Sequence, residues 1–363
     1  MPWSAVLAHA TKAPSPIRPM TIDMAGAYPT GGRDRGRRFR VPSMSRTCSW
    51  WLLPVLVLSA CGGGTGSRDG GPGSDAWSAP DAWVDDASRE DASGSDAGEP
   101  VPDGGASDAA LGSRCEESAG SVTCAHETRV YRVDSTDREV HHQVPLGTPP
   151  PAGFPAVVMF QGALVSAERT WSATAADPYG MLHQTRLVKA LLDAGFAVIT
   201  PEVRGDGSTY WDTNLPSYAT SWESAPDHQL MLALFEAMAR GELGAIDRDA
   251  LFATGISSGG YMTSRMAVSY PGRFRALAIQ AGSYATCGGA FCSVPSDLPD
   301  DHPPTLFLHG GADTTVPVAT MEAYEAGLRA QGTVTRVVVE PGAGHAWLAQ
   351  APAEVLAWFD ARR

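Results

Sequence analysis

The stretch Ala250-Leu-Phe-Ala-Thr-Gly-Ile-Ser-Ser-Gly-Gly-Tyr261 leaves the chain few folds to choose from. Residues 251–254 form a short apolar run of the kind that makes a buried strand, and helix-compatible residues follow as far as Tyr270. Between them stands Gly255-Ile-Ser-Ser-Gly259. A serine on a sharp strand-to-helix turn needs small residues two before and two after it, so that strand and helix pass without collision. Such a turn lifts the Ser257 hydroxyl off the sheet and leaves the Ser258 N–H free at a helix start. In a chain with 39 glycines the motif alone says little. The strand before it and the helix after it give it meaning.

The same grammar repeats from about residue 114 onward. Apolar runs of strand length lie at 156–160, 196–201, 276–280, 305–309 and 336–340, and helical patterns at 185–194, 225–240, 258–270, 318–330 and 352–361. Ahead of them, 128–133 and 139–144 alternate like two strands of a hairpin around 134–138. Strand and helix in alternation predict one mostly parallel sheet with helices on both faces and functional residues on loops at the strand C-termini. The expectation is a single catalytic domain spanning 114–363.

What precedes residue 114 has a different character. Residues 1–60 carry eight Lys or Arg against two Asp or Glu, 62–113 two against eleven, and 114–363 seventeen against twenty-seven. The acidic body, with no basic stripe, argues against a nucleic-acid partner. The apolar run from Trp50 to Ala60 follows Arg46 and is too short to span a bilayer but suits the core of an export signal. Met44 stands just before it, so 44–60 is expected to be a signal peptide and 1–43 an untranslated or disordered extension. Leu58-Ser-Ala-Cys61 resembles the lipobox of bacterial lipoproteins, which makes Cys61 the expected lipidated residue and the membrane a partner through a lipid anchor. Gly62 after it points to the outer membrane. From 61 to 113 the chain is Gly, Ser, Ala, Pro and Asp, too poor in apolar residues to offset chain entropy, and reads as an acidic tether about 40 Å long. Four cysteines remain in an exported chain. Cys115 with Cys124 and Cys287 with Cys292, close in sequence, are the expected pairs. Neither pair has the spacing and histidines of a zinc site, and no metal or organic cofactor is called for.

A serine hydroxyl is a poor nucleophile without a base and an orienting acid. Downstream of Ser257, Leu306-Phe-Leu-His-Gly-Gly-Ala-Asp313 sets an aspartate just past a buried run, and Val337-Val-Val-Glu-Pro-Gly-Ala-Gly-His345 does the same for a histidine. Ser, Asp, His is the chain order of the α/β-hydrolase fold. Each residue has a plainer reading alone: Asp313 as a turn cap, His345 as a loop histidine. Asp206 is the rival acid, and His309 is expected to sit beneath the site. The intermediate's oxyanion calls for two donors. The Ser258 N–H is one, and the loop Phe160-Gln-Gly-Ala163 supplies the other, with Ala163 favoured and Gln161 or Gly162 as neighbours that would serve instead.

Together, Phe160-Gln-Gly162, Gly255-Ile-Ser-Ser-Gly-Gly-Tyr-Met262, His309-Gly-Gly-Ala-Asp313 and Gly344-His345 resemble the extracellular polyhydroxyalkanoate depolymerases, especially those acting on medium-chain-length polyesters. The likeness runs from about residue 125 to the end. It implies that Ser257, Asp313 and His345 are a catalytic triad and that the substrate is an aliphatic polyester or its oligomers; a monomer is expected. Feruloyl or acetyl esterases acting on plant polysaccharides are the alternative, and a binding lipoprotein with a dormant hydrolase fold is a third reading. A solid polyester must be drawn from an apolar surface into a crevice, and Trp211, Tyr261 and Trp347 are the expected substrate contacts, with Tyr210, Tyr218, Trp222, Tyr284 and Phe291 as further candidates.

Overall fold

The computed structural model describes residues 112–204 and 210–363. The expected extension and signal segment, Cys61, the tether up to residue 111 and Asp206 lie outside these. In chain order come strands β1 (Cys115–Ser118), β2 (Ser121–Cys124), β3 (Glu127–Val133), β4 (Thr136–Gln143), β5 (Phe154–Phe160) and β6 (Ser172–Thr174). Helix α1 (Met181–Asp193), β7 (Ala197–Pro201), α2 (Pro216–Ala219), α3 (Pro226–Ala239), β8 (Ile246–Ile256) and α4 (Ser258–Ser269) follow. The chain closes with β9 (Ala276–Gln280), β10 (Thr305–Gly310), α5 (Val318–Ala330), β11 (Thr335–Glu340) and α6 (Ala351–Asp360).

Eight strands form one sheet in the order β11-β10-β9-β8-β5-β7-β4-β3. The six from β11 to β7 are parallel, while β4 pairs antiparallel with both β7 and β3. This is the α/β-hydrolase fold. After β5 the chain moves outward to β7 and then returns to the other side of β5 as β8. The loops leaving β5 and β8 therefore diverge at the point where ligands enter open parallel sheets.

Apolar runs, rather than alternation, build the inner strands because both faces are covered. Val157 and Met159 of β5 join Leu187 and Leu191 of α1 and Val355 and Phe359 of α6 in one core. Ala156, Val158 and Phe160 of the same strand face Leu230 and Leu234 of α3 and Met262 and Met266 of α4 in another. Phe252 is wedged edge-on to Phe196 and tilted against Phe359, with centroids 5.6 and 4.9 Å away. Its truncation to alanine would cost about 3–5 kcal/mol.

Three local features differ from the sequence expectation. β8 begins at Ile246, because Asp247, Arg248 and Asp249 continue a strand whose polar end reaches solvent. The turn between β3 and β4 is tighter than 134–138, since Asp134 takes a left-handed φ of 53° and lets Thr136–Gln143 pair at once. A second sheet, β1-β2-β6, had no apolar run to announce it. Its strands are short and mostly polar, and the Cys115–Cys124 disulfide joins the first two where they pair. The other disulfide links Cys287 to Cys292.

Candidate active site

The turn after β8 is built by close backbone approach. A Cβ on Gly255 would lie 2.5 Å from the Gly259 oxygen, and one on Gly259 only 2.1 Å from the Phe160 oxygen. No side chain fits at either place, so the glycines on both sides of the serine are sterically required. Ser257 itself has φ 56° and ψ −121°, a conformation costly for a residue with a Cβ. The strain is held by its N–H donating to the Gln280 carbonyl (3.1 Å) and its carbonyl accepting from the Tyr261 N–H (3.0 Å).

Asp313 and His345 come from the turns after β10 and β11. These turns touch because they too are made of glycine: a Cβ on Gly310 would lie 2.3 Å from the Gly344 oxygen. The Ala312 N–H donates to the Ala343 carbonyl at 2.9 Å, fastening one turn to the other. The Asp313 side chain is fully buried. Its Oδ1 accepts from the backbone N–H groups of Thr315 and Val316, both at 2.8 Å, and its Oδ2 accepts from His345 Nδ1 at 2.7 Å. Thus Asp313 caps a turn and orients an imidazole at once. With Nδ1 donating, Nε2 of His345 is left to accept a proton. His345 and Ser257 line the same cavity. His309 lies beneath, fully buried, with Nε2 donating to the Val316 carbonyl at 2.8 Å and burial as the main cause holding it neutral.

Facing Ser257 is the loop after β5. The Gly162 backbone is near enough that a Cβ there would lie 3.7 Å from that of Ser257, and Ala163 lines the cavity beside it. The side chain of Gln161 is turned away and donates to Glu202 Oε1 at 2.8 Å. Glu202 Oε2 accepts from the Ala167 N–H at 2.7 Å, so one carboxylate clamps both ends of the loop. Burial pushes the Glu202 carboxyl up, against the hydrogen bonds that pull it down. Sequence reading missed Glu202. Its position at the end of β7 was visible, but its partners come from another loop.

Ser258 serves two ends. Its N–H stands at the start of α4, and its hydroxyl accepts from the Trp211 N–H (3.0 Å) and donates to Asn214 Oδ1 (2.7 Å). Trp211, expected at the substrate surface, is fully buried: its ring lies edge-on to Phe160 and its indole N–H donates to the Gln161 carbonyl at 3.0 Å. Trp222 is buried as well, hydrogen-bonded to the Tyr270 hydroxyl. Both tryptophans carry the loop and do not line the crevice, because a long excursion with only the one-turn α2 inside it needs its own apolar anchors.

Two clefts meet at Ser257. The first is a cavity of about 180 Å³ walled by Leu164, Tyr179, Met181, Gln184 and Trp347, with His345 at its edge. The second passes Tyr210, Leu215, Pro216 and Tyr261, and continues through Asn214 and Gly288 to Phe291. Trp347 and Tyr261 are nearly inaccessible yet each forms part of a cleft wall. The Tyr261 hydroxyl accepts from the Gly289 N–H at 3.0 Å, and burial pushes it up to about 12, so it stays neutral. Among the described residues no three His, Cys, Asp or Glu side chains gather as metal ligands.

A model described as the prolyl oligopeptidase family matches residues 183–288. The poly(3-hydroxyoctanoate) depolymerase of Pseudomonas fluorescens is 44% identical over 258 residues, which make up 69% of this chain and 91% of that protein. An esterase of Thermogutta terrifontis aligns over 64% of this chain and 91% of its own, at 17% identity and a TM-score of 0.46.

Proposed function

The chain belongs to the family of the Pseudomonas fluorescens poly(3-hydroxyoctanoate) depolymerase, and on that premise we propose that it is a serine esterase that cleaves an aliphatic polyester through Ser257, His345 and Asp313. His345 Nε2 takes the Ser257 proton as the hydroxyl attacks the ester carbon, and returns it to the departing alkoxy oxygen. Asp313 keeps the imidazole in the required tautomer and stabilises it while charged. The Ala163 and Ser258 N–H groups hold the oxyanion, a contribution of about 3–4 kcal/mol per donor. Water activated by His345 then hydrolyses the acyl-enzyme. The observation that carries this reading is the 2.7 Å bond between His345 and Asp313 at the cavity that the strained Ser257 lines.

The test is release of soluble hydroxy acid from emulsified poly(3-hydroxyoctanoate) by the full chain, beside Ser257→Ala and a soluble feruloyl ester. Clearing that depends on Ser257 is expected. Turnover of the feruloyl ester without clearing would move the substrate to plant polysaccharide esters.

Export and a lipid anchor at Cys61 complete the proposal, with residues 44–60 as the signal, 61–113 as the tether and 114–363 as the catalytic domain. The apolar run ending at Leu58-Ser-Ala-Cys61 supports it, as do two disulfides, which persist in oxidising compartments. No helix among the described residues is long and apolar enough to cross a membrane. Incorporation of labelled palmitate, lost in Cys61→Ser, is the expected result; an unlabelled chain released to the medium would contradict it. The protein is expected to elute as a monomer.

A further inference from the structure

The two clefts at Ser257 differ in one respect that assigns the two halves of an ester. In acylation the Ser257 Oγ–carbon bond forms, the carbon–alkoxy bond breaks, and the serine proton passes through His345 to the leaving oxygen. That oxygen must therefore lie on the side of Ser257 that His345 occupies. His345 lines the first cleft, whereas Ser258 and Tyr261 line the second.

We infer that the first cleft is a side-chain pocket for the leaving, alcohol-side unit, and that Met181 and Trp347 set the length of alkyl branch it accepts. The inference rests on the ester-hydrolase reading and deepens it. In a poly(3-hydroxyalkanoate) the carbon attached to the leaving oxygen also bears the alkyl branch, so only one carbon separates the branch from the oxygen that receives the proton from His345. The pocket offers that branch the apolar Met181 and Trp347 and a closed end completed by Gln184, whose amide is turned to Thr170 Oγ1; Met181, Trp347 and Gln184 are 4%, 2% and 2% exposed. Its size is fixed by backbone contacts. The Trp347 N–H donates to the Tyr179 carbonyl at 2.9 Å, and a Cβ on Gly180 would lie 2.3 Å from the Trp347 oxygen. Strain is concentrated here. Of five non-glycine residues with left-handed φ among the described residues, Leu164 (66°) and Tyr179 (57°) line this pocket and Ser257 (56°) stands where it meets the second cleft, and such strain persists only where the surrounding structure enforces it. Leu164 and Tyr179, 80% and 54% exposed, stand at its mouth, where the rest of the leaving unit can pass out.

The second cleft has the opposite character. It runs past Leu215 and Pro216 to Phe291, which is 89% exposed, and so can take a chain that continues. The acyl half lies there. The polymer is thus threaded with its hydroxyl end along Pro216 and its carboxyl end leaving past Leu164 and Tyr179.

The experiment uses the full chain and two ester series: acetates of secondary alcohols from 2-butanol to 2-nonanol, and ethyl esters from butanoate to decanoate. Within each protein, kcat/KM is expressed as the ratio of long to short member, so the amount of active enzyme cancels. The unaltered chain should gain about fourfold per methylene along the alcohol series until the pocket is full. Met181→Trp should abolish that gain and leave the acyl ratio within about twofold, and Met181→Ala should extend the gain to longer alcohols. Leu215→Trp should do the reverse, changing the acyl ratio alone. An acyl-series effect of Met181→Trp and Met181→Ala, or no effect of either on the alcohol series, would overturn the assignment. If the unaltered chain turns over neither series, the ester-hydrolase reading itself falls, and this one with it.

Discussion

The two halves of the candidate site are held by different physics. Ser257, Asp313 and His345 stand on short turns at the ends of β8, β10 and β11, fixed by glycines at which one backbone touches another. The far wall is a long excursion after β7, and polar latches hold it. Asp212 and Asp227 each accept the other's backbone N–H through a carboxylate oxygen (2.6 and 2.8 Å). Arg138, 1% exposed, donates to Asp227 Oδ1 at 2.8 Å and to the Glu202 carbonyl. Contact sterics depend neither on pH nor on salt, whereas a buried charge cluster depends on every member being present. One half is positioned by shape and the other by charge.

Removing a charge should give the largest loss of stability. Arg138→Met leaves Asp227 buried without its cation and should cost about 3–5 kcal/mol in denaturant unfolding; a cost below about 1 kcal/mol would mean that the latch does not hold the loop. Gly259→Ala attacks the other half. Its Cβ meets a backbone oxygen that cannot turn aside, so a loss of about 3 kcal/mol is expected together with loss of ester turnover. Full activity in this variant would show that the turn has slack the account denies.

Acid should act with opposite sign on the latch and on a buried histidine outside the site. His302, just ahead of β10 and so at the strand end away from Asp313, is buried and hydrogen-bonded to the Tyr324 hydroxyl, and burial lowers it to about 4. Its folded value lies below the ordinary 6.5, so its contribution is lost as pH falls, by about 2 kcal/mol between pH 7 and 5. Asp212 is pushed up to about 6, first by burial and then by Asp227. The folded state then binds the proton more tightly than the unfolded one, so this pair adds stability over the same fall in pH. Unfolding at pH 7 and 5 should show His302→Leu flattening the acid loss and Asp212→Asn steepening it. Equal slopes in both variants would show that neither group titrates in the direction its burial demands.

The smallest effect belongs to the rim. Phe291 sits in the turn closed by Cys287 and Cys292, pinned by reciprocal hydrogen bonds with Gly288 at 2.8 and 3.0 Å. Phe291→Ala should change stability by less than about 0.5 kcal/mol. It should reduce adsorption to emulsified polymer a few-fold without altering turnover of a short soluble ester that does not reach Phe291.

The same contrast explains what could be read in advance. Strand ends are legible because a strand buried on both faces is a continuous apolar run, and the residues just past such runs fall together in one cavity. Residues 276–280 and 318–330 coincide with β9 and α5 for this reason. Trp211 was misplaced because an aromatic in a polar loop looks the same in sequence whether it lines a cleft or anchors the loop. Glu202, Asp212 and Arg138 escaped notice because the partners that matter lie on other elements, 15 to 89 residues away. Tyr179 and Leu164 owe their places to left-handed backbone, for which only Gly180 left a trace.

The most direct test of the central claim is stoichiometric reaction of the full chain with a fluorophosphonate, mapped by peptide mass spectrometry while polymer clearing is followed in parallel. The account predicts one label per chain, on Ser257, with clearing lost in proportion. A folded chain that clears polymer while Ser257 stays unlabelled would contradict it.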